Sequence, residues 1–218
     1  MLYQIRIIGG NLKGRKLKLH YHPHIRPLAD RAREALFSIL GDAVPDRPFY
    51  DLFAGSGAVG IEALSRGASR AVFVERDPQA AKDIQAHLDR FALSGQAQVI
   101  RGDVYRWAEQ WRAPSEPVNV FIGPPYRYFD QDYPALQRLV ETLQQRLASG
   151  SVITVQSEER FPPERLPGGP GWDVRQYGRT QLALWVCDGQ GSAHRADREA
   201  SLPPGSMDSP EPPSPQEP

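Results

Sequence analysis

The ten residues from Asp51 to Gly60, Asp-Leu-Phe-Ala-Gly-Ser-Gly-Ala-Val-Gly, constrain this chain more than any other stretch. An apolar run ending at Phe49 and Tyr50 precedes them and a helical pattern from 58 to 65 follows, so they occupy a strand-to-helix turn. Gly55, Gly57 and Gly60 have the spacing that lets backbone approach a ligand and lets the helix pack on its strand. A turn of this kind implies an open α/β sheet with its ligand at the strand ends.

Asp51, four residues ahead of the first glycine, narrows the ligand. A dinucleotide places its pyrophosphate over this turn, where a carboxylate repels it. S-adenosylmethionine has no phosphate and carries a sulfonium and an ammonium group, which an acid attracts. Glu75 ends the run Ala71 to Glu75, about twenty residues on, where an acid accepts hydrogen bonds from ribose hydroxyls. Asp103 ends a third apolar run, 97 to 101 with Gly102, and suits an adenine amino group or the N-cap of a helix from 104 to 111. Phe53, Ala54, Gly55 and Gly57 at the turn, Arg76 beside Glu75, and Val104 beside Asp103 complete the expected cofactor contacts.

The order of patterns is strand and helix in alternation. Apolar runs at 49–53, 71–75, 97–101, 118–122 and 152–155 are separated by amphipathic segments. These include a helix from Arg26 to Leu40, one after the Asp77-Pro78 cap, and one carrying Leu136, Leu139, Val140, Leu143 and Leu147. Residues 172–177 and 181–187, joined at Gly178-Arg179, read as an antiparallel hairpin. Such a chain makes a mostly parallel sheet, Rossmann-like, with helices on both faces. Trp107 and Trp111, four apart, read as core anchors.

A total charge of zero over 218 residues conceals a basic beginning. Residues 1–33 hold eight bases and one acid, 8 − 1 = +7. Arg6, Lys13, Arg15, Lys16, Lys18, Arg26 and Arg31 form the footprint of a polyanion, set on a basic hairpin that turns at Gly9-Gly10-Asn11. His20, His22 and His24 have no nearby Cys or carboxylate to complete a metal site, so they read as an exposed loop and no metal is expected. Cys187 is the one cysteine, which excludes an intrachain disulfide, and no segment approaches a membrane span. A cytoplasmic monomer is expected. The domains are a hairpin extension (1–25), a main α/β domain (26–187) and a tail rich in Pro, Ser and acids (188–218) that has little to bury.

Strand 118–122 runs into Gly123, Pro124, Pro125 and Tyr126, which should face the same cleft as Asp51. The prolines fix the backbone and leave carbonyls for a donor, and the tyrosine ring suits stacking on a base. Together with Arg6 to Gly10, Lys13 to Leu17, Arg26-Pro27, Asp30-Arg31, Arg33 to Phe37, Asp51 to Ala68, Val74-Glu75, Gly102-Asp103 and Tyr177 to Thr180, this segment resembles the RsmD-type 16S ribosomal RNA guanine-N2 methyltransferases. The resemblance implies a class I S-adenosylmethionine-dependent fold with a seven-strand sheet. It also implies methylation of a guanine amine on small-subunit rRNA, with Gly123 to Tyr126 at the reacting group.

The chain departs from that family at two positions. Leu28 stands where a capping Thr is usual, and Gly123 where Asp or Asn begins the proline motif. The second removes a side-chain acceptor for the amine, a loss that typically costs a hundredfold to a thousandfold in rate, about 3 to 4 kcal/mol. Glycine leaves room for a water or another carboxylate, with Asp130 and Asp132 nearest in sequence. The alternatives are therefore a weak or inactive RNA-binding homologue on the ribosome, or an amine methyltransferase acting on adenine or protein. An NAD oxidoreductase is disfavoured by Asp51.

Overall fold

The structure, a computed structural model, describes residues 2–20 and 27–188. The readings for Arg26, His22, His24 and the tail beyond Asp188 lie outside the described residues.

Strands β1 (Leu2–Arg6) and β2 (Lys16–His20) pair as an antiparallel hairpin. Helix α1 (Asp30–Leu40) leads to β3 (Pro48–Leu52), α2 (Ala58–Ser65), β4 (Arg70–Glu75) and α3 (Pro78–Arg90). Then come β5 (Ala97–Arg101), α4 (Val104–Gln110), β6 (Asn119–Ile122), α5 (Tyr128–Gln131) and α6 (Tyr133–Arg146). Strands β7 (Val152–Glu158), β8 (Asp173–Tyr177) and β9 (Thr180–Val186) follow. Among the described residues the main sheet has seven strands in the order β5-β4-β3-β6-β7-β9-β8. Strands β3 to β7 run parallel, and β9 is antiparallel to both β7 and β8.

The sheet is covered on both faces, as its apolar runs require. Tyr50, Leu52, Val120, Ile122, Ile153 and Val155 point to the α4/α6 side. Phe49, Phe73 and Phe121, one residue out of phase, point to α1, α2 and α3. Trp107 and Trp111 stack on each other at 5.1 Å and close over Tyr50, half-buried at the edge of the core.

Two boundaries differ from those expected. Helix α1 begins at Asp30, with Ala29 offering no side-chain cap, because Pro27 and Leu28 stay outside it and the Leu28 carbonyl accepts from the Arg33 guanidinium instead. Strand β7 continues past Val155 to Glu158, since β9 remains paired beside it as far as Thr180. His20 is the last residue of β2, where its Nδ1 lies 2.9 Å from Asp83 Oδ1, and is not part of a loop.

Every residue of α2 is buried, Glu62 included. The hairpin is the reason: Ile5, Ile7, Leu17 and Leu19 share a core with Ile61, Ile84 and Leu88 and cover α2 from outside. Glu62 joins the two bodies. Its Oε2 accepts from the Ile8 N–H at 3.1 Å and Arg33 Nε at 3.1 Å, and its Oε1 from the Gly9 N–H at 2.9 Å and the Arg66 guanidinium at 2.9 Å. Arg33, fully buried, spends its other donors on the carbonyls of Leu28 and Arg6 and on Asp30. Burying this pair is tolerable only because the network is satisfied, and removing one partner strands a charge. Glu62→Ala is therefore expected to lower stability by roughly 3 to 5 kcal/mol in urea denaturation followed by circular dichroism. A loss below about 1 kcal/mol would mean that apolar packing alone holds the hairpin.

Candidate functional site

At the C-terminal ends of β3, β4, β6 and β7 the sheet opens into a cleft of about 530 Å³. Asp51, Phe53, Ala54, Gly55, Glu75, Arg76, Asp103 and Val104 line one part of it, and Gly123, Pro124, Pro125 and Tyr126 another. The two motifs meet because β3 and β6 are neighbours in the sheet, with the Gly123 N–H donating to the Leu52 carbonyl at 3.1 Å. Gly57 is not among the lining residues. Its φ of +69° begins α2, and a Cβ there would come within 2.8 Å of Ile84 Cγ1, so this glycine serves packing.

The turn is held from within. Glu75 Oε2 accepts from the Gly55 N–H at 2.7 Å, while its Oε1 accepts from the Asp77 N–H at 2.8 Å. Asp51 Oδ2 accepts from the Gly60 N–H at 2.9 Å. The Ala54 N–H reaches the Val74 carbonyl, the Gly57 N–H the Ala54 carbonyl, and the Ala58 N–H the Ser56 hydroxyl. The N–H groups of residues 54, 55, 57, 58 and 60 are thus consumed inside the protein. A phosphate would find few donors and a lining that includes Asp51, Glu75, Asp77, Asp103 and Glu158.

Burial pushes the Asp51 carboxyl up to about 8, opposed by the Gly60 hydrogen bond and assisted by the nearby Glu75 charge. Asp103 caps α4 through Oδ1, which accepts from the N–H groups of Tyr105 and Arg106, leaving Oδ2 for other use. Phe53 adopts φ +60°, a left-handed conformation rare for a bulky side chain. Its ring stands edge-on between Tyr105 and Tyr128, forming an aromatic wall beside Asp103 and Val104.

The proline corner is more specific than the sequence indicated. The Pro125 carbonyl accepts from the Tyr128 N–H at 2.8 Å, which spends one of its two lone pairs. Among the described residues no hydrogen bond is made to the carbonyls of Gly123 and Pro124. Neither Asp130 nor Asp132 lines the cleft, so neither replaces the acid missing at 123: Asp130 is exposed on α5, and Asp132 lies against Tyr105.

Several lining residues had no site role assigned from the sequence: Ser56, Phe121, Tyr128, Gln156, Glu158 and Arg179. Gln156 was legible in principle as the first polar side chain after the apolar run of β7, the position at which a parallel strand meets its ligand. The basic residues sit elsewhere. Lys13, Arg15, Lys16 and Lys18 are exposed on the hairpin, with Arg31 on α1 and Arg6 facing Asp30 at 3.4 Å. Among the described residues no group of three His, Cys, Asp or Glu is placed to hold a metal ion, and no helix is long and apolar enough to cross a membrane.

A family model described as conserved hypothetical protein 95 matches residues 5–186. The ribosomal RNA small subunit methyltransferase D of Escherichia coli K12 is 37% identical over 195 residues, covering 87% of this chain and 93% of that protein. The putative rRNA methyltransferase YlbH of Bacillus subtilis is 34% identical, covering 83% of this chain and 98% of its own. Among solved structures, a putative methyltransferase of Escherichia coli, yhhF, superposes with a TM-score of 0.70 at 32% identity, covering 86% of this chain and all of that one. With a match across nearly the whole folded region, this chain belongs to the conserved hypothetical protein 95 family, the RsmD-type ribosomal RNA methyltransferases.

Proposed function

We propose that this protein transfers a methyl group from S-adenosylmethionine to the exocyclic N2 amine of a guanine in small-subunit rRNA. The observation that carries this reading is the glycine turn with its N–H groups already spent and a buried acid beneath it, which fits a cationic, phosphate-free nucleoside. The relatives named as rRNA methyltransferases, that of Escherichia coli for the small subunit, support the substrate class. The Pro124 carbonyl, which accepts no hydrogen bond among the described residues, and the Tyr126 ring suit a flat amine, and the family resemblance favours guanine.

In this reading Asp51 answers the positive end of the donor, Glu75 accepts from ribose hydroxyls with the lone pairs its two N–H bonds leave, and Asp103 Oδ2 accepts from the adenine amine. Phe53, Val104 and Tyr128 enclose the adenine, and Arg76 closes the edge. When bound, S-adenosylmethionine supplies an electrophilic methyl group on a sulfonium. The protein orients the amine by accepting its hydrogens and stacks the extruded base on Tyr126. Alignment and desolvation supply the rate, and no covalent enzyme intermediate is needed. The hairpin, 1–25, serves as an RNA-holding extension of the catalytic domain, 26–187. The protein acts as a monomer in the cytoplasm, where ribosomal subunits are assembled.

Two measurements test this. Asp51 is mostly protonated in the empty fold near neutral pH, and a cationic donor stabilises its ionised form. Calorimetry with S-adenosylmethionine near pH 7, in buffers of different ionisation enthalpy, is expected to show release of close to one proton, abolished by Asp51→Asn. Affinity should rise with pH toward about 8. The same carboxyl lowers the stability of the ligand-free protein as pH climbs from about 4 to about 8, because the unfolded chain gives up that proton near 4. Tight NAD binding with no proton release would overturn the assignment.

For the hairpin, Lys16→Ala and Lys18→Ala together are expected to weaken rRNA binding and to reduce the slope of log affinity against log salt by roughly 2, leaving S-adenosylmethionine affinity intact. An unchanged slope in filter binding would move the RNA footprint elsewhere.

A further inference from the structure

Ile122 of β6 pairs with Val155 of β7, so the next residues of the two strands, Gly123 and Gln156, emerge side by side at the rim of the cleft. Gln156 is 6% exposed. Its Nε2 donates to the Tyr126 hydroxyl at 3.3 Å, which ties the amide to the ring expected to stack on the base. Its Oε1 lies 3.5 Å from the point where a Cβ on residue 123 would stand, and among the described residues that oxygen accepts no hydrogen bond. The remaining space is filled by Phe121, whose Cε1 would lie 2.8 Å from such a Cβ. A side chain at 123 would have to displace that ring.

We propose that the Gln156 side-chain oxygen is a catalytic acceptor for the guanine amine, doing from β7 what residue 123, lacking a side chain, cannot do from β6. The inference rests on the guanine methyltransferase reading. Gln156 Oε1 and the Pro124 carbonyl take the two amine hydrogens, so the nitrogen lone pair is directed at the methyl carbon rather than spread into the purine ring. The nitrogen–carbon bond forms as the carbon–sulfur bond breaks, its electron pair stays with sulfur, and one proton leaves the nitrogen for water. A neutral amide can orient the amine but cannot take that proton. It is also a weaker acceptor than a carboxylate, since ionised partners make hydrogen bonds roughly twice as strong.

The test measures methyl transfer to unmodified small ribosomal subunits, with S-adenosylhomocysteine affinity by calorimetry as the check on the pocket. Gln156→Leu is expected to lose about a hundredfold in kcat with KM and S-adenosylhomocysteine affinity changed by less than about threefold. Gln156→Glu should retain or raise kcat at high pH and acquire an acidic limb in its pH profile that the wild type lacks, as the introduced acceptor is lost on protonation. Tyr126→Phe should cost less than Gln156→Leu, and Gly123→Asp should lower kcat because Phe121 occupies the site.

Equal losses in Tyr126→Phe and Gln156→Leu, with no acidic limb in Gln156→Glu, would make the glutamine a support for the tyrosine and overturn the proposal. A rise in kcat for Gly123→Asp would overturn it too. Wild-type kcat in Gln156→Leu sinks this inference alone. A wild-type protein that leaves the subunits unmethylated sinks the functional reading, and this inference with it.

Discussion

Two carboxylates at neighbouring strand ends, Asp51 on β3 and Glu75 on β4, hold the glycine turn by its own N–H groups. The rest of the site follows from that arrangement. A turn whose donors point at a ligand makes an anion hole, whereas a turn whose donors point at buried acids makes the opposite field. The same glycine spacing thus serves two incompatible ligand classes, and what separates them is which group receives each hydrogen. Asp51 carries the cost of this design, since it is almost fully buried, with one N–H bond and the like charge of Glu75 nearby, and its carboxyl is accordingly hard to ionise in the empty fold.

Buried charge also fixes the hairpin to the catalytic body. Glu62 is the one charged residue of a wholly buried helix, where an acid would be intolerable alone. It is acceptable because Ile8 and Gly9 present N–H groups to it, and Arg33 and Arg66 present guanidiniums. The consequence is geometric: the exposed lysines of β2 are held at a set position relative to the cleft. An RNA held by those lysines would thereby be presented to the site from one direction. The +7 of the first 33 residues includes Arg33, whose charge is internal to this network and unavailable to a polyanion.

At the proline corner a polar side chain from a neighbouring strand stands beside the position that lacks one. Parallel strands end in the same plane, so the residue after Ile122 and the residue after Val155 are adjacent although 33 positions apart, 156 − 123. Gly123, Phe121 and Gln156 fit one another: the ring takes the volume that glycine gives up, and the amide reaches the same region of the cleft. Read in isolation, Gly123 suggests impairment. Beside its neighbours, it is one member of a rearranged set.

The sheet was legible along the chain, because alternating apolar runs and amphipathic helices leave few ways to bury both faces, and so was the turn, because Asp51 and the glycine spacing are local. Asp77 as the cap of α3 and Asp103 as the cap of α4 were equally local and equally legible. Contacts between segments distant in the chain became visible in the folded molecule alone. These include the burial of Arg33 against Glu62, the packing role of Gly57 against Ile84, the pairing that extends β7 to Glu158, and the approach of Gln156 to Gly123. Pattern along a chain reports which side of an element is apolar. It carries no record of which polar atom on one element meets which atom on another, since that depends on sheet order and register, and those are set by the packing of the whole.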